Sequence, residues 1–496
     1  MLDSSQVRRP LVLGTVMASM AMIAIEATIV STAMPQIASQ LGDLHLYSWV
    51  FSSFLLTQTA LTVVFGKLAD LYGRKPVLMF GCGIFVVASI LCGLAWSMPS
   101  LIVFRLLQGI GAGAIQPVGM TVVGDLYSVE ERGKIQGYLA SVWGISSVVG
   151  PFAGGLIVQH LSWAWVFWIN VPIGLLAMAG FQLFLRETIA PAQRSVDYGG
   201  AMLFTLAIAA LMIALTEAGT AGGAGVALAG ALVFLLAAGA FVVQERRARD
   251  PMVSFALWSQ PAIAAVNAAT LFSGMSVIGL TTFLPMYVQG VLGQTALIAG
   301  FTLTVMVLGW PIGATIAAKV FPRFGLRRTL IFGASLLPVG AIPFVLLHPG
   351  ISPAVAALGS VVMGLGMGFL SVSALVIVQS AVEWRERGAV TASNIFARNL
   401  GSTLGAAAFG AVVNFGLSRA SAGGAPVDFD RVRQLLDRAD TAVVDQMTRD
   451  VLASSLHLTF WAMFAIAVLT LVLAFFVPAI RQGASSKPAE AMAEAL

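Results

Sequence analysis

The sequence GKLADLYGRKP, residues 66–76, separates two long apolar runs and carries much of the information about the architecture. The chain reverses direction there, and Gly73 can supply a turn with a positive φ angle. Arg74 and Lys75 make the segment basic, which is typical of a loop on the cytoplasmic side of a membrane. Asp70 is an acid among these bases. It either forms a local salt bridge, which contributes little at a surface, or it latches this loop to a distant part of the chain.

The composition argues against a soluble enzyme and against a nucleic-acid-binding protein. Of the 496 residues, 58% are hydrophobic and 10% are charged, whereas a typical soluble domain has roughly 25% charged residues. The chain is therefore predicted to be an integral membrane protein, because a water-soluble surface needs more charge. The net charge of +5 comes from residues scattered between apolar runs. Cys82 and Cys92 lie within one apolar run, so we expect neither a disulfide nor a metal site, and no cofactor.

Fourteen stretches are long and apolar enough to cross a bilayer, which takes about 20 residues per helix. With the N-terminus in the cytoplasm, most basic residues fall in cytoplasmic loops, so both termini are predicted to lie inside. No asparagine starts a glycosylation sequon, and we expect a bacterial inner or plasma membrane. The predicted spans lie near residues 11–33, 47–66, 77–97, 100–123, 135–159, 163–185, 199–217, 223–243, 261–284, 296–318, 328–347, 353–378, 388–414 and 457–479.

The two ends of the chain repeat each other. GIGAG at 109–113 matches GLGMG at 364–368, and Gly73 in DLYGRKPVL matches Gly325 in PRFGLRRTL. Two similar halves around a central pathway are typical of a secondary transporter. The sequence contains no Gly-rich loop of the kind that binds ATP. Transport would therefore be driven by an ion gradient or by the substrate gradient itself.

The repeat also predicts the domain boundaries. One six-helix half is expected at 1–186 and the other at 251–480, with two inserted transmembrane helices and their linkers at 187–250. Within the second half, residues 415–456 are expected to form an outer loop that includes a short amphipathic helix. Residues 481–496 are expected to form a cytoplasmic tail. The predicted fold is an all-α polytopic membrane protein with 14 transmembrane helices.

The fifth predicted span contains GYLASVWGISSVVGPFAGG, residues 137–155, which is unusual for a helix. Gly150, Pro151, Gly154 and Gly155 remove side chains and one backbone hydrogen-bond donor. This pattern permits a kink or the close approach of another helix.

The loop at 66–76 resembles the signature loop of the major facilitator superfamily, in which the acidic residue helps to lock one conformation. The second copy has Pro322 at the position of Asp70, so only one such latch is expected. The resemblance implies a gating role for a set of five loop residues. These are Gly66, Asp70, Gly73, Arg74 and Lys75.

The fifth predicted span resembles the antiporter motif of drug/proton exchangers in the same superfamily, with Ser146 at a position where glycine is usual. Further stretches resemble the fourteen-spanning drug:H+ antiporter family, and together they cover nearly the whole chain. The resemblance implies a major-facilitator fold of two six-helix halves plus two inserted helices. The stretches are 27–37, 163–174, 196–200, 284–300 and 396–405.

Three charged residues, Glu26, Arg105 and Arg398, are expected inside the membrane, where each charge costs free energy and needs a reason. Glu26 lies in the first predicted span, and a buried carboxyl group there can bind either a proton or a lipophilic cation. The alternative is a structural pair with a neighbouring helix. Arg105 resembles the arginine of the superfamily's fourth helix, which is associated with proton coupling; the alternative is pairing with backbone carbonyl groups. A direct contact between Glu26 and Arg105 is compatible with the sequence but does not follow from it.

Charged residues at the ends of the spans are expected to be exposed. Asp125 follows the fourth predicted span; the group of Asp125, Glu130, Glu131 and Arg132 is expected to form surface ion pairs between its acids and its arginine. Asp197 is expected to cap the helix that follows it.

Polar residues within the spans are candidates for a substrate cavity. Most are expected to bridge helices, and a minority to contact substrate. Arg398 lies near the middle of the thirteenth predicted span, where both a structural and a functional role remain open. The candidates are Gln58, Gln116, Asn170, Tyr287, Gln289, Asn394 and Arg398.

The sequence thus predicts a transporter and not an enzyme. It is expected to exchange protons for an amphipathic substrate, cationic or aromatic, by alternating access. It is expected to act as a monomer among membrane lipids, without nucleic acid. The alternatives are an exporter dedicated to one native metabolite, lipid or peptide, a passive facilitator, and a non-transporting membrane sensor on the same fold.

Overall fold

A helix occupies each of the fourteen predicted spans. The computed structural model describes residues 8–42, 46–187, 197–218, 223–248, 251, 255–294, 296–421 and 446–478. The sixth predicted span is divided into two helices, α6 and α7, and a short helix α10 precedes the ninth span. The helices are α1 (Arg9–Leu41), α2 (Tyr47–Tyr72), α3 (Arg74–Gly93), α4 (Met98–Leu126), α5 (Val129–His160), α6 (Trp165–Trp168), α7 (Asn170–Phe184), α8 (Tyr198–Ala218), α9 (Ala224–Arg247), α10 (Phe255–Trp258), α11 (Pro261–Gly290), α12 (Ala296–Phe324), α13 (Leu326–Val345), α14 (Pro353–Ser380), α15 (Arg387–Ser421) and α16 (Gln446–Phe475).

By length and hydropathy, the described residues contain thirteen candidate membrane spans. The predicted span that is not among these candidates is the thirteenth, which forms α15; this helix is long enough but carries more polar residues than the others. It packs against α2, α11 and α16, so its polar side chains are surrounded by protein instead of lipid. This explains how a less apolar helix is accommodated in a membrane protein.

The helices form two groups and one inserted pair. In the first group α2 and α3 pack on α4, while α1 packs on α5 and α7. In the second group α12 and α13 pack on α14, while α11 packs on α15 and α16. The inserted helices α8 and α9 pack on each other, and α8 also contacts α2. Helix α9 exposes Leu228, Leu235 and Leu236, as expected for a helix that faces lipid.

Equivalent glycines let helices approach closely at equivalent places in the two groups. A β-carbon on Gly111 of α4 would lie 2.6 Å from the carbonyl oxygen of Gly81 on α3. A β-carbon on Gly366 of α14 would lie 2.8 Å from the carbonyl oxygen of Gly333 on α13. Any larger residue at these positions would force the helices apart. The sequence repeat is therefore also a repeat of backbone packing.

The two groups contact each other mainly through α2 with α15 and α5 with α12. A β-carbon on Gly66 would lie 2.8 Å from the carbonyl oxygen of Gly388, and one on Gly133 would lie 2.7 Å from the Ala318 β-carbon. Both contacts lie near the helix ends adjoining Asp70, on one side of the molecule that we call the Asp70 face. The groups are thus closed against each other on this face.

The outer loop is shorter than the predicted 415–456. Helix α15 continues through Ser421 and α16 begins at Gln446, so both ends of the predicted loop are helical. Leu452 and Leu456 are buried in the core of the second group, because the apolar face of α16 extends this far. Residues 422–445, where much of the amphipathic helix was expected, and the predicted tail 481–496 lie outside the described residues.

Candidate functional site

Arg74, at the start of α3, is the centre of a buried charge cluster on the Asp70 face. Its Nη2 lies 3.0 Å from Asp70 Oδ1, and its Nε lies 3.1 Å from Asp125 Oδ2. The guanidinium also lies over the Trp384 ring, 4.2 Å from the ring centroid, and donates a hydrogen bond to the Trp384 carbonyl oxygen. Because Trp384 lies just before α15, Arg74 connects the first helical group to the second.

Asp70 bridges the two groups directly. Its Oδ1 accepts a hydrogen bond from the Gly388 backbone N–H at 3.0 Å, and its Oδ2 accepts one from Ala389 at 2.8 Å. These are N–H groups of the first turn of α15, which have no acceptor within their own helix. Asp70 therefore takes the place of a capping residue for a helix in the other group, and it also forms the local ion pair with Arg74.

The prediction of surface ion pairs for Asp125 is wrong. Its side chain is 1% exposed and contacts Arg74 on one side and Arg387, at 3.3 Å, on the other. Arg387 also donates to the Gly124 carbonyl oxygen. The reason is that α4 continues to Leu126 and directs Asp125 into the boundary between the groups, where two guanidinium groups compensate for its burial.

Glu187 completes the cluster and was missed in the sequence. Its Oε2 accepts hydrogen bonds from the backbone N–H groups of Arg74, at 2.7 Å, and Lys75, at 3.1 Å, so it caps the start of α3. The Lys75 ammonium group donates to the Gln182 carbonyl oxygen. An acidic residue directly after the sixth span, on the side of the basic loop, is the signal that could have identified it.

A second buried ion pair lies within the first group. Arg105 Nη1 is 2.5 Å from Glu26 Oε1 and 2.6 Å from Gln108 Oε1, and Arg105 Nε donates to the Val50 carbonyl oxygen. Asn170 Nδ2 donates to the other oxygen of Glu26. Glu26 is 0% exposed. The contact that the sequence left open is present, and it joins α1, α4 and α7.

The two charged sites lie at different depths. Arg105 is near the start of α4, and about 30 Å of helix separates it from Leu126 at the Asp70 face. Arg74 and its carboxylates lie at that face. The Glu26–Arg105 pair therefore lies in a different part of the molecule from the contacts that close the groups.

The glycine-rich segment of α5 packs against α1 close to Glu26. A β-carbon on Gly150 would collide with Thr28, and the Thr28 hydroxyl donates to the Ser146 carbonyl oxygen at 3.0 Å. Gly154 is buried, whereas the space beside Gly155 is open. Pro151 lies within the helix. The segment thus places α5 and α1 in contact inside the first group.

Most cavity candidates bridge or pack helices. Gln58 donates to Gln116 at 3.2 Å between α2 and α4, and Asn170 is bound to Glu26. Tyr287 is 1% exposed and packs in the core of the second group. Gln289 is partly buried near the end of α11. None of these five lines the cavity that the second group contains.

Asn394 and Arg398 line a small cavity among α11, α12, α14 and α15. Asn394 Nδ2 donates to Asn267 Oδ1 and to Thr270 Oγ1, both at 3.0 Å. Trp310 forms part of the wall. The cavity therefore combines a hydrogen-bonded polar side, an aromatic ring and one cation.

Comparisons with known proteins agree with this architecture. Residues 16–406 match the family described as the Major Facilitator Superfamily. The chain is 33% identical to the multidrug transporter protein MdtP of Bacillus subtilis, over 83% of this chain and 76% of that protein. It is 34% identical to multidrug resistance protein 3 of the same organism, over 81% of this chain and 78% of that protein.

Solved structures show the same fold. The human organic anion transporter MFSD10 (TETRAN) superimposes with a TM-score of 0.67 and 15% identity, covering 95% of this chain and all of that one. The proton:xylose symporter XylE gives a TM-score of 0.61 and 13% identity, over 95% of this chain and 96% of that chain. With this fold, this family match and these relatives, the chain belongs to the major facilitator superfamily, and it is a multi-pass membrane transporter and not an enzyme.

Proposed function

We propose that the protein is a proton-coupled efflux transporter of the fourteen-helix drug:H+ antiporter type. It exports amphipathic compounds, cationic or aromatic, by alternating access from a bacterial inner or plasma membrane. The similarity to two Bacillus multidrug proteins supports export of more than one compound. In this proposal the two helical groups are the moving domains, and protons and the exported compound use the same buried carboxylate.

Glu26 is the observation on which the proposal rests. Its carboxylate is fully buried, far from the Asp70 face, and is held by Arg105 and Asn170. A proton on Glu26 removes the charge that attracts Arg105, whose interaction is strong at low dielectric. One protonation event therefore changes the pairing of three helices, which is the kind of link that coupling requires.

The contacts at the Asp70 face supply the gate. The loops on this face are basic, which supports a cytoplasmic location for the face. Asp70 then closes the cytoplasmic side by capping α15, and opening that side breaks its hydrogen bonds to Gly388 and Ala389. Gly66 allows α2 and α15 to approach closely enough for this contact.

The proposal is tested with energised inverted membrane vesicles and a fluorescent pH-gradient probe. Addition of lipophilic cations, such as tetraphenylphosphonium and ethidium, is expected to dissipate the gradient with the wild-type protein. Glu26→Gln is expected to reduce this response at least tenfold, because the amide cannot exchange a proton. Glu386→Gln, on an exposed carboxylate, is the matched control and is expected to behave as wild type.

The outcomes separate the alternatives. Full exchange by Glu26→Gln would contradict the proposal. A response to one compound alone would favour a dedicated exporter. Transport without any dependence on the proton gradient would favour a facilitator, and a folded protein that transports none of a broad panel would favour a sensor.

A further inference from the structure

Arg398 is a membrane-embedded cation whose counter-charge is not provided by the described part of the chain. It lies about 15 Å along α15 from the contact between Gly388 and Asp70 and lines the cavity of the second group. Arg74 and Arg105 each bind a carboxylate. Among the residues that the structure describes, Arg398 has no hydrogen bond or ion pair. A cation left unpaired inside a membrane protein is costly and indicates a function.

The other polar groups of the cavity already have partners. Both N–H groups of the Asn394 amide are used by Asn267 and Thr270. Ser273 donates to the Thr270 carbonyl oxygen. The Ser371 hydroxyl accepts a hydrogen bond from the ring of Trp310 at 3.1 Å. The donors that remain for a ligand are therefore the Thr270 hydroxyl, which only accepts from Asn394, and the N–H groups of Arg398, which are the charged ones.

The backbone at Arg398 is held in a fixed position. Gly274 of α11 lies directly against the Arg398 carbonyl group, so that a β-carbon on Gly274 would collide with it. One turn further along α15, the Ser402 hydroxyl donates to the Gly274 carbonyl oxygen at 3.3 Å. This packing presents the side chain of Arg398 to the cavity from a rigid element, which favours binding because little ordering is needed.

The cavity has room for about one water molecule in this conformation. We infer that, when it widens, Arg398 binds a carboxylate of the transported compound, while the Trp310 ring packs against the aromatic part of that compound. A guanidinium group offers a fork of N–H donors that matches a carboxylate with two parallel hydrogen bonds. This inference rests on the proposed transport function and adds one substrate class to it: aromatic amphipathic compounds that carry a carboxylate, above all zwitterions whose cationic group can still reach Glu26.

The test compares two probes with the same aromatic part. 1-Pyrenebutyrate carries a carboxylate, and 1-pyrenebutyramide replaces it with a neutral amide. Binding to the purified full chain is measured by energy transfer from tryptophan to pyrene, in nanodiscs of phosphatidylcholine so that no anionic lipid competes. The wild type is expected to bind the carboxylate at least tenfold more tightly than the amide.

Variants of Arg398 assign the preference. Arg398→Gln is expected to reduce the preference for the carboxylate over the amide to less than twofold. Arg398→Lys keeps the charge but loses the fork of N–H donors, so its preference is expected to lie between those of Arg398→Gln and the wild type. Arg327→Gln, on an exposed arginine that donates a hydrogen bond to the Phe475 carbonyl oxygen, is the control and is expected to retain the wild-type preference. If Arg398→Gln does not give monodisperse protein, the Arg398→Lys result decides.

The inference is overturned if the wild type shows no preference for the carboxylate, or if the Arg398 variants retain it in full. The vesicle experiment on Glu26 reports separately on the proposed antiport. A carboxylate preference that depends on Arg398, found together with unchanged proton exchange by Glu26→Gln, would contradict the proposed coupling and leave the binding site standing.

Discussion

The loops at Gly73 and Gly325 have the same backbone but opposite chemistry. Both glycines have positive φ angles, 95° and 86°, and each is followed at once by a helix. After the first glycine, Arg74 is buried among carboxylates. After the second, Leu326 is buried in the apolar core of the second group. The repeat thus preserves the turn. The residue that follows the glycine, Arg74 in one loop and Leu326 in the other, decides whether the side chain enters a charged cluster or an apolar core.

The same contrast extends to the contacts between the groups. The start of α15 has its N–H groups capped by Asp70 of the other group. The start of α5, its counterpart, is capped by its own residues, because Ser128 and Glu131 form a capping box. There the other group contributes Phe321, which packs against Gly133. The contact of Asp70 with α15 consists of directional hydrogen bonds, which water can replace when the groups separate. The contact of Phe321 with α5 is apolar and does not depend on the alignment of individual donor and acceptor atoms.

The largest effect is expected from copying the second loop into the first with Arg74→Leu. This variant leaves Asp70, Asp125 and Glu187 buried without their common cation. Removing one partner of a buried ion pair typically costs about 3–5 kcal/mol. We expect a large loss of monodisperse protein and a markedly lower thermal unfolding midpoint in detergent.

The control for this variant is Arg327→Leu in the second loop, where the arginine is exposed and bound to one carbonyl oxygen. Its expected cost is below about 1 kcal/mol. Equal destabilisation by the two variants would show that the charge cluster has no special role.

A smaller effect is expected from Asp70→Asn, which breaks the polar contact without removing the cation. Gly388 and Ala389 donate to different oxygens of Asp70, and in the amide one of these oxygens becomes an NH2 group that faces an N–H donor. The amide also carries no charge for the helix N-terminus. Loss of a cap costs about 0.5–2 kcal/mol. We expect amide hydrogen exchange at the start of α15 to become roughly tenfold faster, measured by mass spectrometry.

Within the same sample, the start of α5 is the internal reference, because its capping box is unaffected. Unchanged exchange at Gly388 and Ala389 would mean that Asp70 does not stabilise the closed Asp70 face.

The smallest effect is expected from Pro322→Asp, which places an acid in the second loop. The position is exposed, Leu326 offers no cation, and the first turn of α5 is already capped by Ser128. We expect a change in stability within about 0.5 kcal/mol and unchanged exchange at the start of α5. Slower amide hydrogen exchange at the start of α5 would show that an acid at this position of the loop is enough to make a latch, whatever residues surround it.

The fold was largely predictable because apolar length and an internal repeat are visible along the chain. The fourteen stretches became helices, and the matched glycines at Gly73 and Gly325 occupy the same turn. The predicted outer loop at 415–456 was too long, since α15 and α16 extend into it. Polar residues such as those of α15 do not prevent a helix from forming when neighbouring helices surround it.

Site residues could be predicted where a charged residue is unusual for the segment that contains it. They could not be predicted where the role depends on partners that are distant in the sequence and close only in the folded structure. Asp70, Glu26 and Arg105 were recognised as unusual for their positions. That Asp125 would be buried, and that Glu187 would cap α3, depends on how α4 and the end of α7 meet the loop. Spacing along one helix does not contain this information.

The capping of α15 by Asp70 has a consequence for the helix itself. Its first turn is stabilised only while the two groups touch, since the N–H groups of Gly388 and Ala389 find their acceptor across the boundary. Opening the Asp70 face transfers these groups to water or frays the turn. In the proposed alternating-access cycle, the length of α15 is then set by the conformation of the whole transporter, and the folding of one helix end contributes directly to the free-energy difference between the two states.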